Sequence, residues 1–275
     1  MKRTSRIASS ARRTRPRGGS RPFALFGAMV LLAVTSSSVA AASDGPGPLG
    51  VTVVASATRQ SARVGALFGA DRASTLSGGH FCTASVVHSE GHDLIVTAAH
   101  CLGGSGALVF VPGYRNGKAP YGVWKVGRRF QPDGWSSGQR EDSDIAFATV
   151  TAMGGAGGAG SRGSARSVED VVGANRFAAG MATGATAVTV TGYPSATDEP
   201  ITCTNRPTAQ SATQQRIACP SFTGGTSGSP WVNGDSEVVG VLGGHEQGGT
   251  TADISYSVVL RREAAELYRD AAGDS

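Results

Sequence analysis

The sequence predicts an all-β fold, and three observations carry that expectation. About a dozen apolar runs, most of them four to eight residues long, are rich in Val, Ile, Thr and aromatics. Gly, Pro and Asp punctuate the intervals between them. Apolar residues recur at helical spacing in a single stretch, at the C-terminus. Many short strands with turn residues between them read as a barrel or a sandwich.

Taken in order, the chain opens on eight Lys/Arg and no acid within residues 1–22, then an apolar run from Phe23 to Val34, then small residues through Ser38-Val39-Ala40-Ala41-Ala42. Basic region, short apolar core and small-residue cleavage site in that order describe a secretory signal peptide, residues 1–42. The apolar run is shorter than the about 20 residues a membrane span needs. No stable membrane association is therefore expected after cleavage, the alternative being an uncleaved anchor. The whole chain has 25 basic and 20 acidic residues, a net charge of +5; without residues 1–42 it keeps 17 basic and 20 acidic residues, a net charge of −3. The positive charge leaves with the signal, and with it the support for nucleic-acid binding. Four cysteines in an exported chain suggest two disulfides among three possible pairings, and with no Cys-x-x-Cys present a zinc ribbon is not expected.

Residues 43–62, rich in Gly, Pro, Ser, Ala and Thr, read as a linker or short propeptide. The expected strands follow: Val64–Phe68, Phe81–His88, Leu94–Ala98, Ala107–Val111, Gly122–Val126, Ile145–Val150, Ala187–Gly192, Ile201–Asn205, Arg216–Cys219, Pro230–Val232, Val238–Leu242 and Ile254–Val259. Ala152–Ser164 interrupts them with a glycine-rich tract that cannot bury a core and reads as a mobile surface loop near the middle of the chain. Leu260, Ala264, Leu267 and Ala271 form the apolar stripe of one closing amphipathic helix.

The chemistry concentrates in Gly224-Gly225-Thr226-Ser227-Gly228-Ser229-Pro230. Small residues on both sides of Ser227 let the backbone turn sharply and leave N–H groups free to meet a ligand oxygen. A serine is a poor nucleophile without a base and an orienting acid. Of the five histidines, only His100 stands where an apolar strand, Leu94 to Ala98, delivers it to a turn beside a cysteine, Cys101. His88 and His92 flank a polar turn at a spacing that suits metal ligands, but no third ligand follows them on a helix, so no metal site is expected. Asp144 directly abuts the run Ile145–Val150, which favours it as the acid over Asp142 and Glu141. Each of these residues has a plain structural reading as well: a β-turn at Ser227, a strand cap at His100, turn chemistry at Asp144.

Together, Thr97-Ala98-Ala99-His100-Cys101, Asp144-Ile145-Ala146 and Gly225-Thr226-Ser227-Gly228-Ser229-Pro230 resemble the three signature segments of the chymotrypsin-like (trypsin-fold) serine peptidases. They occur in that family's order, His, Asp, Ser, at intervals of 44 and 83 residues. The resemblance spans roughly residues 62–270 and is strongest to the secreted bacterial branch that includes glutamyl endopeptidases. It implies two six-stranded antiparallel Greek-key barrels packed together, with a C-terminal helix. The protease domain would span 63–275: barrel one about 63–150, a connecting loop 151–184, barrel two about 185–259 and the helix 260–272.

The resemblance further implies a secreted serine endopeptidase, a hydrolase working through an acyl-enzyme. Ser227 would be the nucleophile, His100 the base and Asp144 the orienting acid. The backbone N–H groups of Gly225 and Ser227 would hold the oxyanion. Cys82 would pair with Cys101, and Cys203 then with Cys219. Ser221, Phe222 and Thr223 would form one wall of the primary specificity pocket and Gly243, Gly244 and His245 the other, with the strand from Val238 to His245 offering its edge to substrate. The implied partner is a protein or peptide substrate, with no cofactor, no metal and a monomeric state.

The chain departs from the family at Thr226, where an Asp receives the new N-terminal amine in trypsin-like zymogens, and at Ser229, where a second Gly is usual. No Asp stands at the pocket base, and Leu242 occupies the position where glutamyl endopeptidases carry a histidine, so neither Arg/Lys nor Glu preference is implied. The competing reading is a catalytically weak or inactive protease-fold protein that binds a partner through the cleft; a more remote one is an unrelated β-rich adhesin.

Overall fold

In a computed structural model of the protein, residues 48–154 and 166–274 are described. The expected signal segment and most of the glycine-rich tract lie outside them. All twelve expected runs become strands. Three further strands, of three, two and two residues, carry too little apolar pattern to be read from sequence.

The described chain enters with β1 (Thr52–Val54) and a helical turn, α1 (Arg59–Ala62), opened by a Thr58 capping box. The span 43–62, expected to be a linker or short propeptide, thus holds a strand and a helical turn. β1 pairs antiparallel with a strand of the second half, Thr52 donates its hydroxyl to Pro220 O (2.5 Å), and Ala55 is buried.

Six strands follow: β2 (Val64–Gly69), β3 (His80–Val87), β4 (Leu94–Thr97), β5 (Leu108–Pro112), β6 (Trp124–Phe130) and, after the short helix α2 (Asp133–Gly138), β7 (Ala146–Ala152). They close a barrel in the order β2-β3-β4-β7-β6-β5. Leu67, Phe110, Ile95 and Trp124 fill its interior. β2, β4 and β5 are buried on both faces, because their outer faces meet the second half. That is why they read as unbroken apolar runs and not as alternating ones.

The span 151–184, expected to be a connecting loop, holds α3 (Val168–Val172) and β8 (Arg176–Phe177). The second half then comprises β9 (Val188–Gly192), β10 (Ile201–Asn205), β11 (Thr208–Ala209), β12 (Gln214–Ala218), β13 (Pro230–Val232), β14 (Glu237–Val241) and β15 (Ile254–Val258), and the chain closes with α4 (Arg262–Gly273). Its backbone ladder falls into two sheets, β1-β10-β9-β13-β14-β8 and β11-β12-β15. Specific bonds cross the two seams. Cys203–Cys219 and the bond from Asn205 Nδ2 to Ala218 O (2.6 Å) join β10 to β12. The bonds from Val241 N to Ser257 Oγ and from Gly243 N to Tyr256 O, 2.9 Å each, join the β14 side to β15.

The chain therefore has the expected two-barrel fold with a C-terminal helix, the second barrel being the less regular. Because Cys203–Cys219 closes a seam that has no ladder, replacing both cysteines with serine should cost about 3 kcal/mol, from the entropy of a 16-residue loop. Urea unfolding of the mature protein measures this.

Two apolar layers join the barrels. In one, Val96 and Phe147 of barrel one meet Val232, Val241 and Val258 of barrel two and Ala264 and Ala271 of α4. In the other, Tyr193 after β9 packs on Phe68, Val109 and Tyr114. Beside this second layer, Asp198 accepts hydrogen bonds from Tyr114 Oη (2.6 Å), Ser77 Oγ (2.7 Å) and Gly78 N (2.9 Å). Burial raises its pKa, but those donors outweigh burial and hold it below the usual carboxylate range. A depressed folded pKa stabilises above the unfolded value of about 3.9 and loses that contribution as pH falls through the folded one. Asp198→Asn should therefore lower the melting temperature at neutral pH and leave the loss on acidification below pH ~4 shallower than in the wild type. Melting curves between pH 6 and 2 test this, and parallel curves for the two proteins would refute it.

Candidate active site

β4 ends at Thr97, and the buried Ala98 and Ala99 lead into a 3-10 turn, Ala99–Leu102, that presents His100. Cys101 in this turn is bonded to Cys82 of β3, which fixes the turn to the barrel wall. Gln131 Nε2 donates to Ala99 O (3.0 Å), and the Trp135 ring lies 6.3 Å from the imidazole.

Asp144 follows a second 3-10 turn, Glu141–Ser143, just before β7, and its side chain is fully buried. It accepts three N–H bonds: from His100 N to Oδ1 (3.0 Å), from His100 Nδ1 to Oδ2 (2.7 Å) and from Gly244 N to Oδ2 (2.8 Å). A buried carboxylate needs such donors to offset its lost hydration. Since a carboxylate only accepts, Nδ1 carries the proton and Nε2 is left as the basic nitrogen. Gly243 makes the approach possible: a Cβ there would lie 2.9 Å from Asp144 Oδ2 and 3.1 Å from Ala98 Cβ. The neighbouring acids turn elsewhere. Asp142 accepts from Thr213 Oγ1 (2.8 Å) and Gln214 Nε2 (3.1 Å), which lowers its pKa, and Glu141 accepts from Glu246 N (2.8 Å).

Ser227 lies in the turn between β12 and β13, where Gly225 and Gly228 have φ of +94° and +85°. The turn is held from within by Thr226: its hydroxyl donates to Thr223 O (2.7 Å), and its carbonyl accepts from Ser229 Oγ (2.7 Å) and Ser229 N (3.0 Å). It is held from outside by Thr83 of β3. Thr83 Oγ1 donates to Gly225 O (3.0 Å) and Thr83 N to Ser227 O (2.7 Å). Thr97 Oγ1 in turn donates to Thr83 O (2.7 Å), so one buried threonine ties the strand leading to His100 to the turn carrying Ser227. Among the described residues the amides of Gly225 and Ser227 have no hydrogen-bond partner, and Ser227 Oγ is not bonded to His100. Thr83 escaped the sequence reading, its one signal being its place beside Cys82.

The expected pocket residues diverge. Phe222 turns into the core of barrel two with Cys219, Trp231 and Leu242, while Ser221 (φ +72°) and Thr223 are exposed. β14 ends at Val241, so the edge strand expected to run to His245 is shorter. Gly244 (φ +76°) redirects the chain into a turn, His245–Gly248. The amide of Gly244 is used by Asp144 and that of His245 by Gln214 Oε1 (3.2 Å), and the His245 ring packs edge-on against Tyr256 at 4.9 Å. These groups are occupied inside the protein because glycines at 243 and 244 let the backbone leave the strand direction.

This arrangement can polarise a serine hydroxyl and stabilise an oxyanion. The profile of the trypsin-like peptidase domain matches residues 82–241. No curated protein sequence matches the chain. Among solved structures, the chain is similar to the protease Anisep from Arthrobacter nicotinovorans, at 27% identity over 77% of this chain and 95% of that one, with a TM-score of 0.63. It is also similar to the thermostable serine protease AL20 from an extremophilic microorganism, at 25% identity over 78% and 99%, TM-score 0.63. A Glu endopeptidase shares the fold, at 15% identity over 82% and 98%, TM-score 0.62.

Proposed function

The chain belongs to the trypsin-like peptidase family and is a serine-type peptidase, and from that premise we propose that it is a secreted endopeptidase whose nucleophile is Ser227, whose base is His100 and whose orienting acid is Asp144. The observation that carries this reading is the pairing of the buried Asp144 with His100 at 2.7 Å, tied through Thr83 to a turn whose Gly225 and Ser227 amides have no partner among the described residues. Ser227 Oγ attacks the scissile carbonyl while His100 Nε2 takes its proton. The carbonyl oxygen, now negative, is received by the amides of Gly225 and Ser227, one such donor being worth about 3 kcal/mol of barrier. The tetrahedral intermediate collapses as His100 returns the proton to the leaving amine, and water repeats the sequence on the acyl-enzyme.

Thr226 fills the place of the zymogen aspartate with local hydrogen bonds, and β1 and α1 stay attached to the fold upstream of Val64. Neither feature calls for a new N-terminus to shape the oxyanion turn. Export is supported by the segment 1–42 and by two disulfides. No described helix is long and apolar enough to cross a membrane.

Covalent labelling by a sulfonyl fluoride tests the proposal. Wild-type protein is expected to label at Ser227 and His100→Ala to fail. A folded wild-type protein that never labels would instead favour a partner-binding role on the same fold.

A further inference from the structure

His88 and His92 carry a feature that their sequence spacing does not complete. The third donor comes from Glu169 on α3, 77 residues beyond His92. A nitrogen of each ring and a carboxylate oxygen of Glu169 lie within 4.8 Å of one another. His88 Nδ1 already meets Glu169 Oε1 at 2.7 Å. His92 Nδ1 meets Asp170 Oδ1 at 2.9 Å, which leaves its Nε2 for an ion and supplies the carboxylate that metal-bound imidazoles commonly have behind them. The other grouping of this kind among the described residues, Cys82, His100 and Cys101, offers no thiolate because both sulfurs form a disulfide.

We propose that His88, His92 and Glu169 form a surface site for Zn²⁺. Two imidazoles and one carboxylate are a zinc donor set, with the fourth position left to water. Tetrahedral ligands 2.0–2.1 Å from the ion are about 3.4 Å apart. The histidine side chains, 56% and 43% exposed, have room to adjust to that separation. The backbone beneath them is fixed from several elements. Glu169 N donates to His92 O (3.0 Å), His88 N to Asn175 O (2.9 Å) and Tyr268 Oη of α4 to His88 O (2.7 Å). His92 itself holds φ +59°, a conformation a non-glycine residue keeps only when its surroundings impose it.

The site lies at the start of β4, and His100 follows that strand's other end. A bound ion would therefore act as a clamp between the β3–β4 turn and α3, adding stability without entering catalysis. The inference is independent of the proposed triad.

Zinc titrated calorimetrically into the full mature protein is the test. One-site binding is expected, retained in His100→Ala and weakened at least tenfold by His92→Gln or Glu169→Gln. Asp170→Asn should weaken it by about tenfold through the lost partner of His92. At a hundredfold excess over the wild-type Kd, zinc should raise the melting temperature of the wild type by about 5 °C and that of Glu169→Gln by no more than about half as much. No binding at millimolar zinc, or binding lost only in His100→Ala, would overturn the proposal.

Discussion

Replacing Ser227 with alanine should lower kcat/KM on a peptide substrate by about 10⁵- to 10⁶-fold, with the melting temperature nearly unchanged. Ser227 Oγ makes no hydrogen bond among the described residues, so its removal takes nothing from the fold. Asp144→Asn should cost about 10⁴-fold in kcat. The carboxylate accepts from His100 Nδ1, and an amide nitrogen in its place would drive the imidazole proton to Nε2, where the base must be free. Because Asp144 also accepts from His100 N and Gly244 N, this second variant should lose stability too, by about 1–3 kcal/mol. Steady-state kinetics with thermal unfolding separate the two effects. If Ser227→Ala retained activity within tenfold of wild type, Ser227 would not be the nucleophile.

Gly228→Ala is expected to be the most damaging single methyl group. Its backbone sits at φ +85°, and an added Cβ would collide with Thr83 O and Thr97 Oγ1, both in the fully buried layer beneath the turn. Left-handed strain and a clash with fixed backbone together should cost about 3–5 kcal/mol. The nearest relief is to push Ser227 away from Thr83, which breaks the bond from Thr83 N to Ser227 O, so the surviving protein should also lose activity. Gly78 is the control. It too has positive φ, +63°, but nothing lies within 4 Å of an added Cβ, and Gly78→Ala should cost only about 1 kcal/mol. Urea midpoints of the pair, with kcat/KM for each, distinguish packing from backbone strain. Equal losses would show that the Thr83 contact is not what confines the turn.

Much of the fold is legible because burial and periodicity are local. Each of the twelve apolar runs is a strand, and the stripe Leu260, Ala264, Leu267 and Ala271 announces a helix found at Arg262–Gly273. Short elements escape for the same reason: Thr52–Val54 is a strand because β10 offers it an edge, not because three residues encode one. His100, Asp144 and the Ser227 turn stand out by residue type and by the apolar runs beside them. Thr83 does not, since a threonine in an apolar strand is ordinary until its partners are known. The path of the chain after β14 was not legible either, because Gly243 and Gly244 let it leave the strand and direct the Gly244 amide to Asp144.

The sequence by itself determined the β class, the order of the strands, the cysteines available for pairing and the three side chains with the right chemistry. Their identity and spacing are properties of the chain and survive without a fold. The tertiary structure alone decided that Thr83 binds both the His100 strand and the Ser227 turn and that Glu169 completes a donor set with His88 and His92. These contacts span from 14 to 142 residues of sequence. A hydrogen bond acts over about 3 Å, so only the closure of the barrels and their packing against each other bring such groups within its reach.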